Sequence, residues 1–169
     1  MANSFSPSVN IVRDQEKDSF SYLPTNNSRR IYDLICSNFE SGLHSFTIIG
    51  SYGTGKSAFI IALEKHLSGQ NQYFEPLNGH FNGCNKFEFL NIVGEKDSFL
   101  DALANEFGAE ASSKDLFKVL KQKQKALEAD QACLVIVVDE FGKFLEHAAS
   151  VDPDRELYFI QQLAEFVND

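Results

Sequence analysis

The sequence predicts an α/β fold with three layers, in which helices cover both faces of a parallel sheet. Three apolar runs are typical of strands, at residues 45–49 (SFTII), 86–93 (KFEFLNIV) and 133–138 (CLVIVV). Stretches with helical spacing of apolar residues separate and follow these runs. Such alternation favours parallel strands, because each crossover between parallel neighbours needs room for a helix. The last run is apolar throughout, which predicts a strand buried on both faces.

Helices in the first half are predicted from apolar spacing and end signals. The first spans residues 26–40, with Asn26, Asn27 or Ser28 as its cap. The second spans residues 56–67 and is stopped by the polar, glycine-containing segment that follows. The predicted apolar face of the first helix consists of Ile31, Leu34, Ile35 and Phe39.

Four more helices are predicted in the second half. The first begins at a cap at Asp97 or Ser98 and ends before Gly108, which suits a helix end. The second begins at Ser112, which has capping-box spacing to Asp115. The last two are expected at residues 140–149 and 153–167, and the proline that opens the final one suits a first helical turn.

Composition and charge limit the classes of function. Hydrophobic residues make up 43% of the 169 residues, enough for a buried core. The net charge is −9, because 24 acidic residues outnumber 15 lysines and arginines. Proteins that grip a nucleic-acid backbone usually present a basic surface, so direct nucleic-acid binding is not expected.

The cysteines and the chain start predict a cytoplasmic location. Three cysteines are present, Cys36, Cys84 and Cys133, and none forms a C-x-x-C pair. An odd number without such a pair favours reduced thiols over a disulfide framework. The sequence contains no run of about 18 consecutive apolar residues, so no membrane helix is predicted. The polar start MANSFSPSVN lacks the apolar stretch of a signal peptide.

Residues 50–57 (GSYGTGKS) match the phosphate-binding pattern G-x-x-x-x-G-K-[ST], with a predicted strand before and a helix after. Glycines let backbone N–H groups converge on phosphates, and the helix directs its positive end there. Lys56 would neutralise the β- and γ-phosphates and Ser57 would bind Mg²⁺. Chance gives this pattern on the order of 1% of the time or less, which disfavours a turn that binds nothing. The predicted phosphate-binding residues are Gly50, Ser51, Tyr52, Gly53, Thr54, Gly55, Lys56, Ser57 and Ala58.

Two carboxylates, Asp139 and Glu140, directly follow the most apolar run. Carboxylates beside an apolar strand are costly unless used, and parallel sheets bind ligands at strand ends. This favours a Walker B element, in which Asp139 holds the Mg²⁺ shell and Glu140 deprotonates the attacking water. The alternative is a helix start, with Asp139 as cap and Glu140 in the first turn. The predicted catalytic residues are Lys56 and Glu140, and the predicted metal ligands are Ser57 and Asp139.

The two motifs resemble those of P-loop NTPases with an additional catalytic glutamate. Together with the predicted first helix they resemble AAA+ and STAND-type ATPases, from about Tyr22 onward. The segments GSYGTGKS and VVDEFGKFLE are also similar to those of large bacterial ATPases of antiphage defence. This resemblance implies Mg²⁺-dependent ATP hydrolysis that drives a switch or motor in a larger protein or a homo-oligomer. No N-K-x-D base-reading motif is visible, which favours ATP over GTP.

The resemblance also implies elements that the chain does not supply. In such ATPases a strand with a polar sensor residue lies between the two motif strands, and an arginine finger and a lid follow. No apolar strand is visible after Val138. We therefore expect residues 26–169 to form a P-loop NTPase domain truncated before the sensor strand, or a rearranged sheet. Residues 1–25 are expected to form an irregular N-terminal arm.

Two other functions stay open on the sequence alone. A nucleotide or small-molecule kinase also uses a P-loop, but it often carries an arginine-rich lid. The four arginines, Arg13, Arg29, Arg30 and Arg155, form no lid-like cluster. The other alternative is an interaction module that binds nucleotide without hydrolysing it.

Overall fold

The computed structural model describes Ile11, residues 20–76 and residues 81–169. Most of the predicted N-terminal arm, and Arg13 within it, therefore lies outside the described residues. The described part has six helices, a short 3-10 turn before the first strand, and two strands. In chain order they are α1 (Asn26–Glu40), α2 (Lys56–Leu67), the turn Phe81–Gly83, β1 (Lys86–Val93), α3 (Phe99–Glu106), α4 (Ser113–Glu128), β2 (Ala132–Asp139), α5 (Gly142–Val151) and α6 (Pro153–Asn168).

The two strands form a parallel sheet, as predicted. The register runs from Lys86 opposite Ala132 to Val93 opposite Asp139, so both strands end at the same edge. Alternate residues of each strand face opposite sides of a sheet. Phe87 and Phe89 of β1 pack against the core of α1 and α2, whereas Leu90 and Ile92 of the same strand pack against the core of α3 to α6. The predicted three-layer α/β arrangement is thus confirmed, with helices on both faces.

Residues 45–49 were predicted as a strand, and this prediction is wrong. They pair with no strand in the part of the chain that the structure describes. Ile49 is 91% exposed and Phe46 is 41% exposed. A strand needs a neighbour for its backbone N–H and C=O groups, and apolar composition alone does not provide one. The sheet therefore has only two strands in the described part, and β2, predicted to be buried on both faces, is only half-buried along its length.

The cap of α1 differs from the prediction, whereas its predicted apolar face is confirmed in part. Thr25 is the cap, because its Oγ1 accepts a hydrogen bond of 3.1 Å from the Ser28 amide. Tyr32 and Cys36 are the buried hydrophobic members of the helix, while Leu34 is 48% exposed. The other predicted members of the apolar face are partly buried against the same core: Ile31, Ile35 and Phe39. The predicted face therefore packs on the core except at Leu34, and Tyr32 is buried more deeply because its ring stacks in that core.

Later helix ends follow their capping side chains. Ser98 and Ser112 cap α3 and α4, and Asp152 caps α6 ahead of its proline. The start of α5 is the exception, since the helix begins at Gly142 rather than at Glu140. No helix within the described ranges is long and apolar enough to cross a membrane.

A disulfide joins Cys84 to Cys133 and overturns the prediction of three reduced thiols. Cys133 lies opposite Phe87 in the sheet, so the segment that enters β1 passes beside the start of β2. The Cα atoms of the two cysteines are 6.0 Å apart, within the usual range for a disulfide. Cysteine spacing along a sequence does not reveal such spatial neighbours. Cys36 is buried and free.

Candidate functional site

The loop before α2 has the backbone shape that anion binding requires. Gly53 and Gly55 adopt left-handed φ angles of 78° and 84°, which side chains with a Cβ rarely tolerate. Gly55 is the residue before α2, and no side chain caps the helix there. The first N–H groups of α2 are therefore left to a ligand at the positive end of the helix dipole.

Lys56 folds back over the loop that precedes it. Its Nζ donates hydrogen bonds to the carbonyl oxygens of Gly50, at 2.8 Å, and Ser51, at 2.9 Å. Thr54 Oγ1 also donates to the Ser51 carbonyl, at 2.8 Å. The loop is exposed, and Tyr52 in particular is 90% exposed. A positive charge is thus held beside the uncapped helix, where it can reach an anion bound by the amides.

A hydrogen bond brings the two sequence motifs together. Ser57 Oγ donates to Asp139 Oδ2 at 2.8 Å, across 82 positions of sequence. Ser57 lies in the first turn of α2, and Asp139 is the last residue of β2. A hydroxyl and a carboxylate at one point are the oxygen ligands that Mg²⁺ uses when water and phosphate complete its shell. The predicted metal ligands therefore have the chemistry and the proximity that Mg²⁺ binding needs.

Glu140 follows β2 in an unusual backbone conformation. Its φ angle is 52°, in the left-handed region that only glycine visits readily. The Glu140 amide donates to Asp139 Oδ1 at 2.9 Å. Asp139 does not cap α5, and Glu140 does not join its first turn. The alternative of an ordinary helix start at this pair is therefore wrong.

The Glu140 carboxylate pairs with the ammonium group of Lys143. The hydrogen bond from Lys143 to Glu140, with nearby Glu95 and Glu146, raises the pKa of Lys143. Both side chains are about half exposed, so the pair is open to solvent and can exchange. Lys143 was not singled out from the sequence, because a lysine near a helix start carries no signal of its own.

The structure unites most of the predicted site. Ser57 and Asp139 meet where α2 begins and β2 ends. Lys56 precedes Ser57 and bonds the loop instead, and Glu140 follows Asp139 in sequence. Ala58 is half-buried in the first turn of α2. The Tyr52 side chain is 90% exposed.

A second interlayer contact lies deeper on the same helix. Asn91 Nδ2 of β1 donates to Glu64 Oε1 of α2 at 2.7 Å. Glu64 is 3% exposed, and burial raises the pKa of its carboxyl group. Ser57 and Glu64 are two helical turns apart, so one face of α2 contacts the sheet at two polar points.

The comparison with protein families agrees with this geometry. A family model described as the KAP family P-loop domain matches residues 25–140, more than half of the chain. The match covers both the P-loop and the acidic pair at the end of β2. No curated protein and no solved structure matches the chain. The chain belongs to the KAP family of P-loop NTPase domains.

Proposed function

We propose that this domain binds Mg–ATP at residues 50–58 and hydrolyses it. The observation that carries the proposal is the 2.8 Å hydrogen bond between Ser57 Oγ and Asp139 Oδ2. It places a hydroxyl and a carboxylate together beside an uncapped helix start. Phosphoryl transfer to water requires charge neutralisation and positioning more than covalent chemistry.

Each residue has a defined task in this proposal. The amides of the loop and of the first turn of α2 bind the phosphates, and Lys56 leaves its two carbonyl acceptors to contact the γ-phosphate. Mg²⁺ bound by Ser57 and Asp139 would neutralise charge on the β- and γ-phosphates. Glu140 releases Lys143, accepts a proton from the attacking water and orients it.

The resemblance to AAA+, STAND-type and antiphage-defence ATPases supports a role as a switch or motor within a larger protein or a homo-oligomer. In that role residues 26–169 form the nucleotide-binding part, and hydrolysis changes the contacts with attached domains. The net charge of −9 supports a partner other than nucleic acid for this part. We propose a cytoplasmic setting because ATP is abundant there; the Cys84–Cys133 disulfide removes the cysteine argument for that location.

Nucleotide binding is tested with a fluorescent ATP analogue and Mg²⁺. Lys56→Ala removes a charge-assisted contact, and its loss should weaken binding about 10- to 100-fold. Lys118→Ala is the matched control, because Lys118 is an exposed lysine on α4. Equal affinity of Lys56→Ala and Lys118→Ala would contradict phosphate binding at this loop.

Hydrolysis is tested by release of free phosphate. Glu140→Gln keeps the size of the side chain but removes the base, so phosphate release should stop while nucleotide affinity stays within about threefold. Undiminished release by Glu140→Gln rules out its role as the base. A phosphorylated acceptor in place of free phosphate would favour the kinase alternative. Binding without any release would favour the interaction module.

A further inference from the structure

The backbone at Gly94 lies unusually close to the backbone of Glu140. Gly94 follows the last residue of β1 and is buried. A Cβ atom built at this position would lie 2.9 Å from the Glu140 carbonyl carbon and 3.3 Å from the Asp139 oxygen. It would lie closer still to the Glu140 carbonyl oxygen. The φ angle of Gly94 is not positive, so the need for glycine here is a matter of space.

Contacts around this point hold Glu140 in its left-handed conformation. The Gly94 amide donates to the Asp139 carbonyl at 2.8 Å, and the Lys143 amide donates to the Glu140 carbonyl at 3.0 Å. Left-handed residues other than glycine persist only where surrounding contacts outweigh their conformational cost. At Glu140 the outweighing contacts come from the end of β1 on one side and the start of α5 on the other.

We propose that Gly94 is a positioning residue for Glu140. The absence of a side chain at Gly94 lets the Glu140 carbonyl sit against the end of β1. That contact fixes the left-handed turn, and the turn sets where the Glu140 carboxylate emerges, next to Lys143 and one residue from the Mg²⁺ ligand Asp139. The proposal rests on the proposed function, because it assigns Gly94 a part in the hydrolytic step rather than in nucleotide binding.

The chain contains a matched control two residues after Glu140. Gly142 opens α5, and a Cβ built there would meet nothing within 4 Å. Its φ angle is not positive either. Gly142→Ala therefore adds the same methyl group on the same segment without displacing Glu140.

The test compares Gly94→Ala with Gly142→Ala in the full chain. A displacement of about 1 Å at a catalytic group costs on the order of 10²-fold in rate, so we expect Gly94→Ala to lower kcat by that amount. Its KM and nucleotide affinity should stay within about threefold, because the P-loop is untouched. Gly142→Ala should keep kcat within about twofold. Equal kcat for the two variants, or a parallel loss of affinity in Gly94→Ala, would overturn the proposal.

A second measurement needs neither nucleotide nor turnover. In the wild-type chain the Gly94 amide should exchange slowly with solvent, because it donates to the Asp139 carbonyl. The amide of residue 94 should exchange faster in Gly94→Ala and stay protected in Gly142→Ala. Fast exchange at wild-type Gly94 would overturn the proposal, even where Gly94→Ala does not fold. A wild-type chain that hydrolyses no ATP would instead count against the proposed function. The exchange rate of the Gly94 amide would still test whether Gly94 contacts the end of β2.

Discussion

The two ends of the β1–β2 sheet are held together by different chemistry. At the amino end the Cys84–Cys133 disulfide joins the strands covalently. Asn85 and Gln131 add two hydrogen bonds, of 3.0 and 3.2 Å. At the carboxyl end Ser57, Asp139 and Gly94 are connected by hydrogen bonds of 2.8 Å.

The difference matches what each end has to do. Hydrogen bonds at the carboxyl end can exchange for bonds to a ligand, whereas a covalent link stays in place while they do. Both ends also contain a left-handed residue other than glycine, Gln131 and Glu140, each with a φ angle of 52°. Gln131 therefore lies in a turn at the disulfide end, whereas Glu140 lies in a turn beside the candidate catalytic site.

Cys84→Ser should have the largest effect, and on stability alone. The disulfide spans 49 positions, and a cross-link of that span contributes about 4 kcal/mol in the chain-entropy estimate. Urea unfolding without reductant should show this loss, while nucleotide affinity stays unchanged. In reductant, wild type and Cys84→Ser should unfold alike. Equal free energies of unfolding without reductant would mean that the amino end is not covalently closed in solution.

Ser57→Ala should affect the opposite end and mainly its function. Loss of the hydrogen bond to Asp139 should cost about 1 kcal/mol of unfolding free energy. It should also reduce the gain in nucleotide affinity on adding Mg²⁺. Ser150→Ala is the control, because Ser150 Oγ makes a 2.8 Å bond to a helix carbonyl on the surface of α5. An unchanged Mg²⁺ dependence would argue against Ser57 as a ligand.

Glu64→Gln tests the hydrogen bond between Asn91 of β1 and Glu64 of α2. Burial raises the pKa of Glu64 above its ordinary value of 4.5, so the folded state keeps this proton to higher pH than the unfolded state. The stability that this retained proton contributes is fully present below pH 4.5 and is lost as pH rises through the pKa of the folded state. Glu64→Gln should therefore gain stability relative to wild type as pH rises above 4.5. Urea unfolding over a series of pH values measures this gain, and a constant difference would mean that Glu64 ionises normally.

Burial lowers the pKa of His66, whose nearby groups include the carbonyl of Glu75. Its effect on stability has the opposite sign, since the protein loses stability as pH falls through 6.5 towards the folded pKa. Wild type and Glu64→Gln share His66, so the difference between them isolates the Glu64 contribution.

The smallest effects on the free energy of unfolding are expected from glycine at the two left-handed positions. Gln131→Gly and Glu140→Gly should each relieve strain on the order of 1 kcal/mol, partly offset by the flexibility of glycine. The two variants should thus have similar free energies of unfolding in urea. Phosphate release should stop in Glu140→Gly alone. Loss of release in Gln131→Gly as well would show that both ends of β2 affect the reaction.

Local signals were sufficient for several elements. The bounds of α2 (Lys56–Leu67) and β1 (Lys86–Val93) match the prediction, because glycine, lysine and alternating apolar residues define them within a few positions. The caps at Ser98 and Ser112 follow from side chains next to the helix start. The two motifs also assigned Ser57 and Asp139 to one site, and the two side chains are hydrogen-bonded in the structure.

Contacts between distant segments account for the errors. Residues 45–49 have strand composition but no strand neighbour in the described ranges, and Cys84 meets Cys133 only through the register of the sheet. The role of Gly94 could not be predicted from the sequence for the same reason. Its importance arises from the Glu140 carbonyl, which lies far along the chain and close in space. A single sequence does not reveal such pairs.

The fold of Lys56 over its own loop has a consequence for ligand choice. Its ammonium group already has two carbonyl acceptors, at 2.8 and 2.9 Å. An ammonium group has three N–H donors, so an anion meets one open donor and gains more contacts only where it displaces a carbonyl oxygen. The two carbonyl oxygens therefore compete with the anion for Lys56, and we expect this competition to favour polyphosphates over singly charged ions.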